Sequence, residues 1–324
     1  MSFRKSASVS PRDHYQDITN QIVEALEAGI VPWRREWDQG ACGVPMNVTT
    51  GKAYRGINHL VLGLAQAVRF KDDPRWCSYR QAQAKGWQVR KGERGTMIVF
   101  YKRIEKHGQA EAGDERSFYQ LLKCSTVFHA SQIEGIPEYV RPELGAVAWQ
   151  RPDALDIIMT NSKAVIRTGG AQAFYSPSTD HIQLPPLESF TSAEGFAHVA
   201  VHEMGHWAYA KPRLDLSKNG AFGSASYAAE ELRVDIAASM VCSAIGIGTD
   251  IGNTAAYVQN WLQRLKDDKR EIFRAAADAQ RIADFILNFH PEYPAHLAAS
   301  SEETGGDAGD DQPPRAASEL AEAA

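Results

Sequence analysis

The sequence contains no long hydrophobic segment. Across its 324 residues, no stretch reaches the roughly 18 uninterrupted apolar residues that a membrane-spanning helix needs. The first residues, MSFRKSASVSPRDHYQ, also lack the apolar core of a secretory signal peptide. These absences argue against any association with a membrane and predict a cytoplasmic protein.

Cysteine is scarce and scattered. The four cysteines, Cys42, Cys77, Cys124 and Cys242, show no CxxC spacing. This pattern argues against a disulfide framework and against a cysteine-based zinc site. We therefore expect reduced, buried thiols.

Charge is present in ordinary amount but is unevenly distributed. Hydrophobic residues make up 44% of the chain and charged residues 23%, which is typical of a globular protein with a substantial core. Residues 1–150 carry 21 Lys and Arg against 16 Asp and Glu, whereas residues 151–324 carry 14 against 24. Within residues 31–106 the excess of positive charge reaches +9. Such asymmetry indicates a polyanion-binding module joined to a second unit.

Hydrophobic periodicity predicts an α+β fold in two domains. The first domain has helical spacing in HYQDITNQIVEALEAG and INHLVLGLAQAVRF, and strands in TMIVFYKRI and FYQLLKCSTVFHAS. The second is mainly helical with a small sheet. We expect a flexible arm at 1–10, the first domain at 11–140, a linker at 141–152, the second domain at 153–298 and a disordered acidic tail at 299–324.

A metal-binding motif lies in the second domain. His202, Glu203 and His206 form HEMGH within a helical pattern, so the two histidines project from one face, about one turn apart. Zn²⁺ prefers tetrahedral nitrogen and oxygen ligands, and a catalytic site supplies three from the protein. Glu203 follows the first histidine and is placed to act as the general base on a metal-activated water. The alternative is that both histidines are buried in a helical core, where they form hydrogen bonds and bind no metal.

The third ligand is sought in the helical segment downstream. We favour Glu231, whose face of the helix would also carry Asp235 as a carboxylate that orients a histidine. Glu230 is the rival ligand. We expect zinc, with another divalent cation such as Mn²⁺ as the alternative metal.

A short hairpin precedes the motif. YSPSTDHIQLP reads as two strands joined by a polar turn, and such an edge strand could bind an extended peptide substrate beside the metal. An ordinary structural hairpin is an equally good interpretation.

Aromatic and basic residues alternate in the first domain. Exposed rings that stack on unpaired bases, beside cations that track phosphates, are typical of single-stranded nucleic-acid binding, and no helix-turn-helix or zinc finger is present. Trp76 and Trp87 flank short elements and are expected in the core. The candidate DNA-binding residues lie in irregular segments or turns, where a structural role is the alternative: Trp33, Arg34, Arg35, Trp37, Tyr54, Arg55, Lys91 and Arg94.

Several segments together resemble the ArdC-type antirestriction proteins of conjugative plasmids, whose N-terminal domain also occurs in TraC-type plasmid primases. The resemblance covers about residues 11–290 and is carried by YQDITNQIVEALEAGIVPWRREW, TGKAYRGIN, RKGERGT, VFHASQIEGIP, DHIQLPP, HVAVHEMGHW and YAAEELRVDIAASMVCSAIGI.

The resemblance implies an N-terminal domain that binds single-stranded DNA and a C-terminal zincin-like metallopeptidase domain. It further implies protection of incoming plasmid DNA from host restriction, with a restriction enzyme or another protein as a partner or substrate. Carried over by position, the family's metal site falls on His202, His206 and a glutamate of the EEL triplet, with Glu203 as base. One departure is Asp235, where the family usually has glutamate.

Three functions remain open from the sequence. The first is a single-stranded-DNA-binding antirestriction protein with a zinc peptidase-like domain. The second is a dedicated metallopeptidase that its DNA-binding domain only localises. The third, an accessory protein of a plasmid primase, is disfavoured because no primase-type cluster of metal-binding carboxylates is recognisable.

Overall fold

The computed structural model of the protein describes seven stretches of the chain: residues 13–33, 43–70, 73–105, 118–140, 153–216, 225–247 and 255–293. The predicted arm, linker and tail lie outside these residues. No helix in the described stretches combines the length and apolar character needed to cross a bilayer.

The N-terminal half is a sheet flanked by helices. Its elements in chain order are α1 His14–Glu27, β1 Met46–Asn47, α2 Ile57–Val68, β2 Arg75–Ser78, α3 Tyr79–Ala84, β3 Gln88–Val89, β4 Thr96–Glu105, β5 Phe118–His129 and β6 Ile133–Glu134. The main sheet has the order β1-β2-β5-β4, with β1 parallel to β2 and the other pairs antiparallel. β3 and β6 form a separate antiparallel pair.

Local sequence explains the helix boundaries in this half. The Asp13 side chain accepts a hydrogen bond from the Gln16 N–H (3.2 Å) and caps the start of α1. Gly29, at φ +78°, follows the end of α1 in a conformation that favours glycine. Asn58 of α2 exchanges two hydrogen bonds with the backbone of Val99 (2.8 and 2.9 Å), which ties α2 to strand β4.

The C-terminal half combines a small sheet with long helices. It contains α4 Ala154–Ser162, β7 Val165–Thr168, β8 Phe174–Ser176, β9 His181–Leu184, α5 Ala193–Tyr209, α6 Ala225–Ala244, α7 Ala255–Asp267 and α8 Glu271–Leu287. The sheet order is β7-β9-β8, with β7 parallel and β8 antiparallel to β9. The two strands expected around the polar turn are therefore confirmed. α7 and α8 are separate helices, because the Asp268 carbonyl and carboxylate accept from the Glu271 and Arg270 N–H groups between them.

One hydrophobic core joins the two halves. Ile18, Ile22 and Leu26 of α1 and Leu60 of α2 belong to the same buried cluster as Met204, Leu232, Trp261 and Ile282 of the C-terminal helices. The predicted fold class, a two-part α+β chain with a mainly helical second part, is confirmed.

Candidate metal centre and its surroundings

Two antiparallel helices carry the candidate metal centre. The Ser192 side chain accepts from the Gly195 N–H (3.0 Å) and caps the start of α5, which presents His202 and His206 one turn apart. The first turns of α6 place Glu230 and Glu231 opposite them. Because the two helices lie close together, side chains from both can reach the same point between them.

The side chains of His202, His206 and Glu231 converge. The two Nε2 atoms are 3.2 Å apart. Nε2 of His202 lies 3.5 Å from Oε2 of Glu231, and Nε2 of His206 lies 3.3 Å from Oε1. A tetrahedral ion with bonds of about 2.0–2.1 Å has ligand atoms about 3.3–3.4 Å apart. These three donors therefore have the spacing that a tetrahedral cation requires. Among the described residues, no other cluster of three or more His, Cys, Asp or Glu side chains is arranged to hold a metal ion.

Glu230 contacts the other side of His206. The Nδ1–H of His206 donates to Glu230 Oε1 at 2.8 Å. This bond leaves Nε2 free to point toward Glu231 and fixes the orientation of the ring. Glu230 thus orients a ligand, whereas Glu231 faces the centre.

The electrostatics of the centre favour a cation. Burial alone would lower the pKa of His206, but hydrogen bonds to Glu230 and Glu231 outweigh it and raise that pKa to about 10. Burial would raise the pKa of Glu231, but hydrogen bonds from His202 and His206 hold it well below its ordinary value. A buried carboxylate, Glu231, beside two imidazoles is suited to binding a divalent cation.

Glu203 lies beside this group but is not part of it. It directly follows His202 on α5 and is 8% exposed. Its negative charge is one of the influences that raise the pKa of His206, so its carboxylate lies near the centre. This is the position expected for a general base.

Gly205 allows the two helices to approach. A Cβ atom at this position would lie 2.7 Å from Cγ1 of Val234 on α6. Val234 is fully buried and has little room to move. Any larger residue at 205 would therefore push α6, and with it Glu231, away from the histidines.

Asp235 makes a contact that the sequence did not predict. Its Oδ2 accepts a hydrogen bond of 2.7 Å from the indole Nε1–H of Trp33, and its Oδ1 is 3.9 Å from Nε2 of His198. Glu230 therefore contacts His206, Asp235 joins this region to the N-terminal half, and the role of Asp235 in orienting a histidine stays a prediction.

Trp33 corrects a prediction made from the sequence. The sequence made it a candidate for DNA binding with a structural role as the alternative, and its position favours the structural role: Trp33 is 5% exposed and packs against Trp261 with ring centroids 5.6 Å apart. A buried ring cannot stack on a nucleobase. No local pattern indicates this role, because Trp33 and Asp235 are 202 residues apart. His198 was also missed, although it extends the four-residue spacing of His202 and His206.

The other DNA-binding candidates divide into three groups. Arg34, Arg35 and Trp37 lie outside the described residues. Tyr54 packs against the cluster of Leu62, Trp76, Ile98 and Val127, and burial raises its pKa. Arg55 forms an ion pair with Asp284 of α8. Tyr54 and Arg55 thus have structural partners, and their contact with DNA stays a prediction.

Lys91 and Arg94 lie in an exposed turn between β3 and β4. The neighbouring acid, Glu93, is engaged by Arg90 (2.7 Å) and by the amide of Gln132 (2.9 Å). The carbonyl of Arg94 accepts from the guanidinium of Arg69 (3.4 Å). The turn therefore carries an excess of positive charge.

A cleft opens beside this turn. It has a volume of about 770 Å³ and lies between α1, α2 and the β4–β5 hairpin. Its lining includes Arg69 and Gly95 at one end, and Leu64, Val68 and Met97 along the side. Cations are thus located next to a partly apolar groove.

The edge strand β8 is held in place beside α5. The guanidinium of Arg213, in the loop after α5, donates to the Tyr175 hydroxyl (2.8 Å) and to both carboxylate oxygens of Asp180 (2.7 and 3.1 Å). It also lies 4.3 Å from the ring centroid of Trp207. One side chain thus fixes β8 and its turn against the helix that carries the histidines.

The fold and the donor group define a class of protein: a zincin-like metallopeptidase domain that follows an N-terminal α+β domain. Residues 153–278 match the family described as zincin-like metallopeptidase, and residues 12–128 match the N-terminal domain of the anti-restriction factor ArdC. The chain belongs to the ArdC family of antirestriction proteins.

Solved structures support this assignment. The antirestriction protein ArdC from plasmid R388, in a metal-free crystal structure, is 38% identical and superposes with a TM-score of 0.74, covering 87% of this chain and 99% of ArdC. A second crystal structure of that protein, with Mn(II) bound, gives a TM-score of 0.73 at the same identity, covering 87% of this chain and all of ArdC.

Sequence relatives include larger proteins. Protein y4eC of Sinorhizobium fredii is 38% identical over 286 residues, which is 86% of this chain and 92% of y4eC. A DNA primase TraC of Escherichia coli is 40% identical over 296 residues, or 85% of this chain. The chain spans only 27% of the length of that primase and 21% of a second one.

Proposed function

We propose that this antirestriction protein binds single-stranded DNA through its N-terminal half and carries a metal-dependent peptidase centre in its C-terminal half. Together these would protect incoming DNA of a conjugative plasmid or related mobile element from host restriction. The observation that carries the proposal is the convergence of His202, His206 and Glu231 at tetrahedral spacing, with Glu203 beside them.

The residues of the centre fit a divalent cation, with His202, His206 and Glu231 as its ligands. When bound, the cation would supply Lewis-acid chemistry, polarising a peptide carbonyl and making a water molecule more acidic. Zn²⁺ suits the nitrogen and oxygen donors, and the Mn(II) found in the R388 relative makes Mn²⁺ the alternative.

The protein's own groups would perform the remaining steps. A Glu203 carboxylate oxygen would take the proton from the attacking water and return it to the departing amine. Glu230 would hold the His206 ring in one orientation throughout. The edge strand β8 would pair with an extended peptide, a proposal supported by its fixed position beside α5.

DNA binding is assigned to the N-terminal half. Lys91 and Arg94 are exposed beside the partly apolar cleft, and their charge is not cancelled by Glu93, which has other partners. Cations that contact phosphates give affinity that falls with salt, without reading base sequence. We propose that the strand passes along this turn.

A combined experiment tests both parts. Metal content and anisotropy-monitored binding to single- and double-stranded oligonucleotides across salt are measured for the wild type, Glu231→Gln, Glu203→Gln and Lys91→Ala/Arg94→Ala. We expect one metal ion and a preference for single strands in the wild type, loss of metal in Glu231→Gln, and retention of metal in Glu203→Gln. Lys91→Ala/Arg94→Ala should retain metal but bind DNA more weakly, with a shallower salt dependence.

A wild-type protein that binds neither metal nor single strands would contradict the proposal. Metal without DNA binding would contradict only the N-terminal assignment.

The presence of Glu203 beside the candidate metal ligands favours a second candidate function. In it, the protein is a dedicated peptidase, and DNA binding serves only to localise it. Casein cleavage and plasmid protection in a restricting host are compared for the wild type and Glu203→Gln. Loss of both in the variant, with DNA binding intact, would favour the dedicated peptidase. Protection without cleavage would show that DNA binding is sufficient. A primer-synthesis assay tests the third candidate, a primase accessory.

A further inference from the structure

Trp33 connects the N-terminal half to the helix that supplies a candidate metal ligand. It lies just after α1, whereas its hydrogen-bond partner Asp235 lies in α6. The Nε1 to Oδ2 distance of 2.7 Å is at the short end for an N–H donor to oxygen. Asp235 is 1% exposed and Trp33 5% exposed, so this bond is shielded from bulk water.

Asp235 lies one helical turn from the metal centre. It follows Glu231 by four residues, which places both side chains on the same face of α6. On α5, His198 precedes His202 by four residues and lies 3.9 Å from Asp235. Asp235 and His198 therefore form the layer of side chains next to the layer that holds Glu231 and His202.

The indole that holds Asp235 is itself fixed. Its ring packs against Trp261 of α7, which is 1% exposed. A donor on a rigid ring can define the position of its acceptor more closely than a donor on a flexible side chain. Asp235 is thus held from outside the two helices that carry the ligands.

We infer that Trp33 is a positioning residue of the metal centre, which it serves by holding Asp235, and thereby α6 and Glu231, at the correct distance from the histidines. The inference rests on the proposed metal site. It means that the peptidase-like half is completed by a side chain of the N-terminal half.

The physical argument concerns the buried carboxyl group. Removal of the indole N–H would take one hydrogen bond from a buried carboxylate, and this loss favours a shift or rotation of α6 that improves the remaining contacts of Asp235. A metal site tolerates errors of only about 0.2 Å in ligand distances. Groups that orient ligands without touching the metal typically change metal affinity by about 10- to 100-fold.

The test compares two buried tryptophans. Trp33→Phe keeps an aromatic ring against Trp261 but removes the N–H donor. Trp76→Phe is the matched control, because Trp76 is fully buried in the separate cluster with Leu62, Ile98 and Val127. The Zn²⁺ dissociation constant of each full-length, metal-stripped protein is measured by competition with a chromophoric chelator.

We expect about 10-fold weaker Zn²⁺ binding in Trp33→Phe and an unchanged affinity in Trp76→Phe. Equal affinity in Trp33→Phe and the wild type, or equal weakening in both variants, would overturn the inference while leaving the metal site intact. Failure of the wild type to bind Zn²⁺ would instead overturn the proposed site, and the inference with it.

A measurement on the wild type covers the case in which Trp33→Phe does not fold. Coupling between two sites is reciprocal, so Zn²⁺ must strengthen the indole hydrogen bond if that bond strengthens Zn²⁺ binding. Solvent exchange of the Trp33 Nε1–H, followed by NMR, should slow about 10-fold on addition of Zn²⁺, while that of Trp76 stays unchanged. Unchanged exchange at Trp33, or equal slowing at both, would overturn the inference.

Discussion

At the scale of single residues, Glu230 and Glu231 have different tasks although they are adjacent. Successive helical residues are rotated by about 100°. Glu231 therefore faces the space between His202 and His206, while Glu230 reaches the opposite side of the His206 ring. The sequence limited the choice to this pair, and the rotation of α6 about its axis decides between them.

The contact between Glu230 and His206 gives a prediction for metal affinity. Glu230→Gln keeps an oxygen for the Nδ1–H but removes the negative charge, so the ring is held less firmly and is a weaker base. We expect about 10-fold weaker Zn²⁺ binding by chelator competition. Glu194→Gln, an exposed change at the start of the same α5, should leave the affinity unchanged. Equal affinities in both variants would contradict the role of Glu230.

At the scale of the elements, the distance between α5 and α6 determines whether a metal centre can form. The two helices are in contact where Gly205 faces Val234, and the ligands lie within one turn of this point on each helix. The HEMGH segment identified the glycine, but only the packing reveals what it faces.

Gly205→Ala should therefore weaken both folding and metal binding. The helical propensity gained, about 1 kcal/mol, is outweighed by overpacking, so we expect a net loss of about 1 to 2 kcal/mol in the free energy of unfolding. Urea denaturation measures this change. Val234→Ala removes the Cγ1 atom in conflict, so the double variant should lose less stability than the sum of the two single changes. A double variant less stable than the sum of the single changes would contradict the proposed clash.

A buried ion pair joins α6 to α8. Arg233 donates to Glu271 at 2.9 Å, and Glu271 is 4% exposed. Burial would raise the pKa of Glu271, but Arg233 and Arg274 outweigh it and lower that pKa. The helix with the candidate ligand is thereby anchored to its neighbour.

This pair predicts a stability that depends on pH. Because the pKa of Glu271 is lower in the folded than in the unfolded protein, its contribution is fully present above its ordinary value of 4.5 and is lost as pH falls through the lowered value. Glu271→Gln should lower the free energy of unfolding at neutral pH by about 3 kcal/mol and flatten its dependence on pH below about 4.5. Urea titrations from pH 3 to 7 measure both. The control Glu292→Gln, at an exposed position, should change neither the free energy of unfolding at neutral pH nor its pH dependence. An unchanged pH dependence in Glu271→Gln below about 4.5 would contradict the proposed role of Glu271.

At the scale of the whole molecule, the two halves interlock through polar contacts as well as the shared core. The Thr19 hydroxyl donates to the Lys269 carbonyl (2.7 Å), and the Gly56 N–H donates to Gln280 (2.9 Å). Arg55 pairs with Asp284. The basic half therefore packs directly against the helices behind the metal centre.

We accordingly expect the described parts of both halves to unfold in one cooperative transition. Separation of the two halves would expose the apolar faces of α1, α2, α7 and α8 to water. Unfolding of one half would therefore also destabilise the other. Calorimetry, with circular dichroism and tryptophan fluorescence as parallel probes, should give coincident midpoints. Two separated transitions would contradict this expectation.

The amino-acid sequence was sufficient to predict most of the helices and strands and the candidate metal ligands. Periodicity located α1, α2, α5 and the main hairpin, because apolar spacing and capping residues act locally. The HEMGH spacing and the EEL triplet identified the donor types, because one helix turn fixes which side chains share a face. The division at 141–152 and the DNA contacts of Arg34, Arg35 and Trp37 remain predictions.

The packing of complete helices and strands establishes which distant residues meet. It separated Glu231 from Glu230, placed Asp235 on Trp33, and moved Trp33 from the expected DNA surface into the core. No local pattern encodes a hydrogen bond across 202 residues, since such a contact depends on how complete helices pack. For the same reason, the sequence could indicate two halves but not that a tryptophan of the first half contacts the helix that carries Glu231.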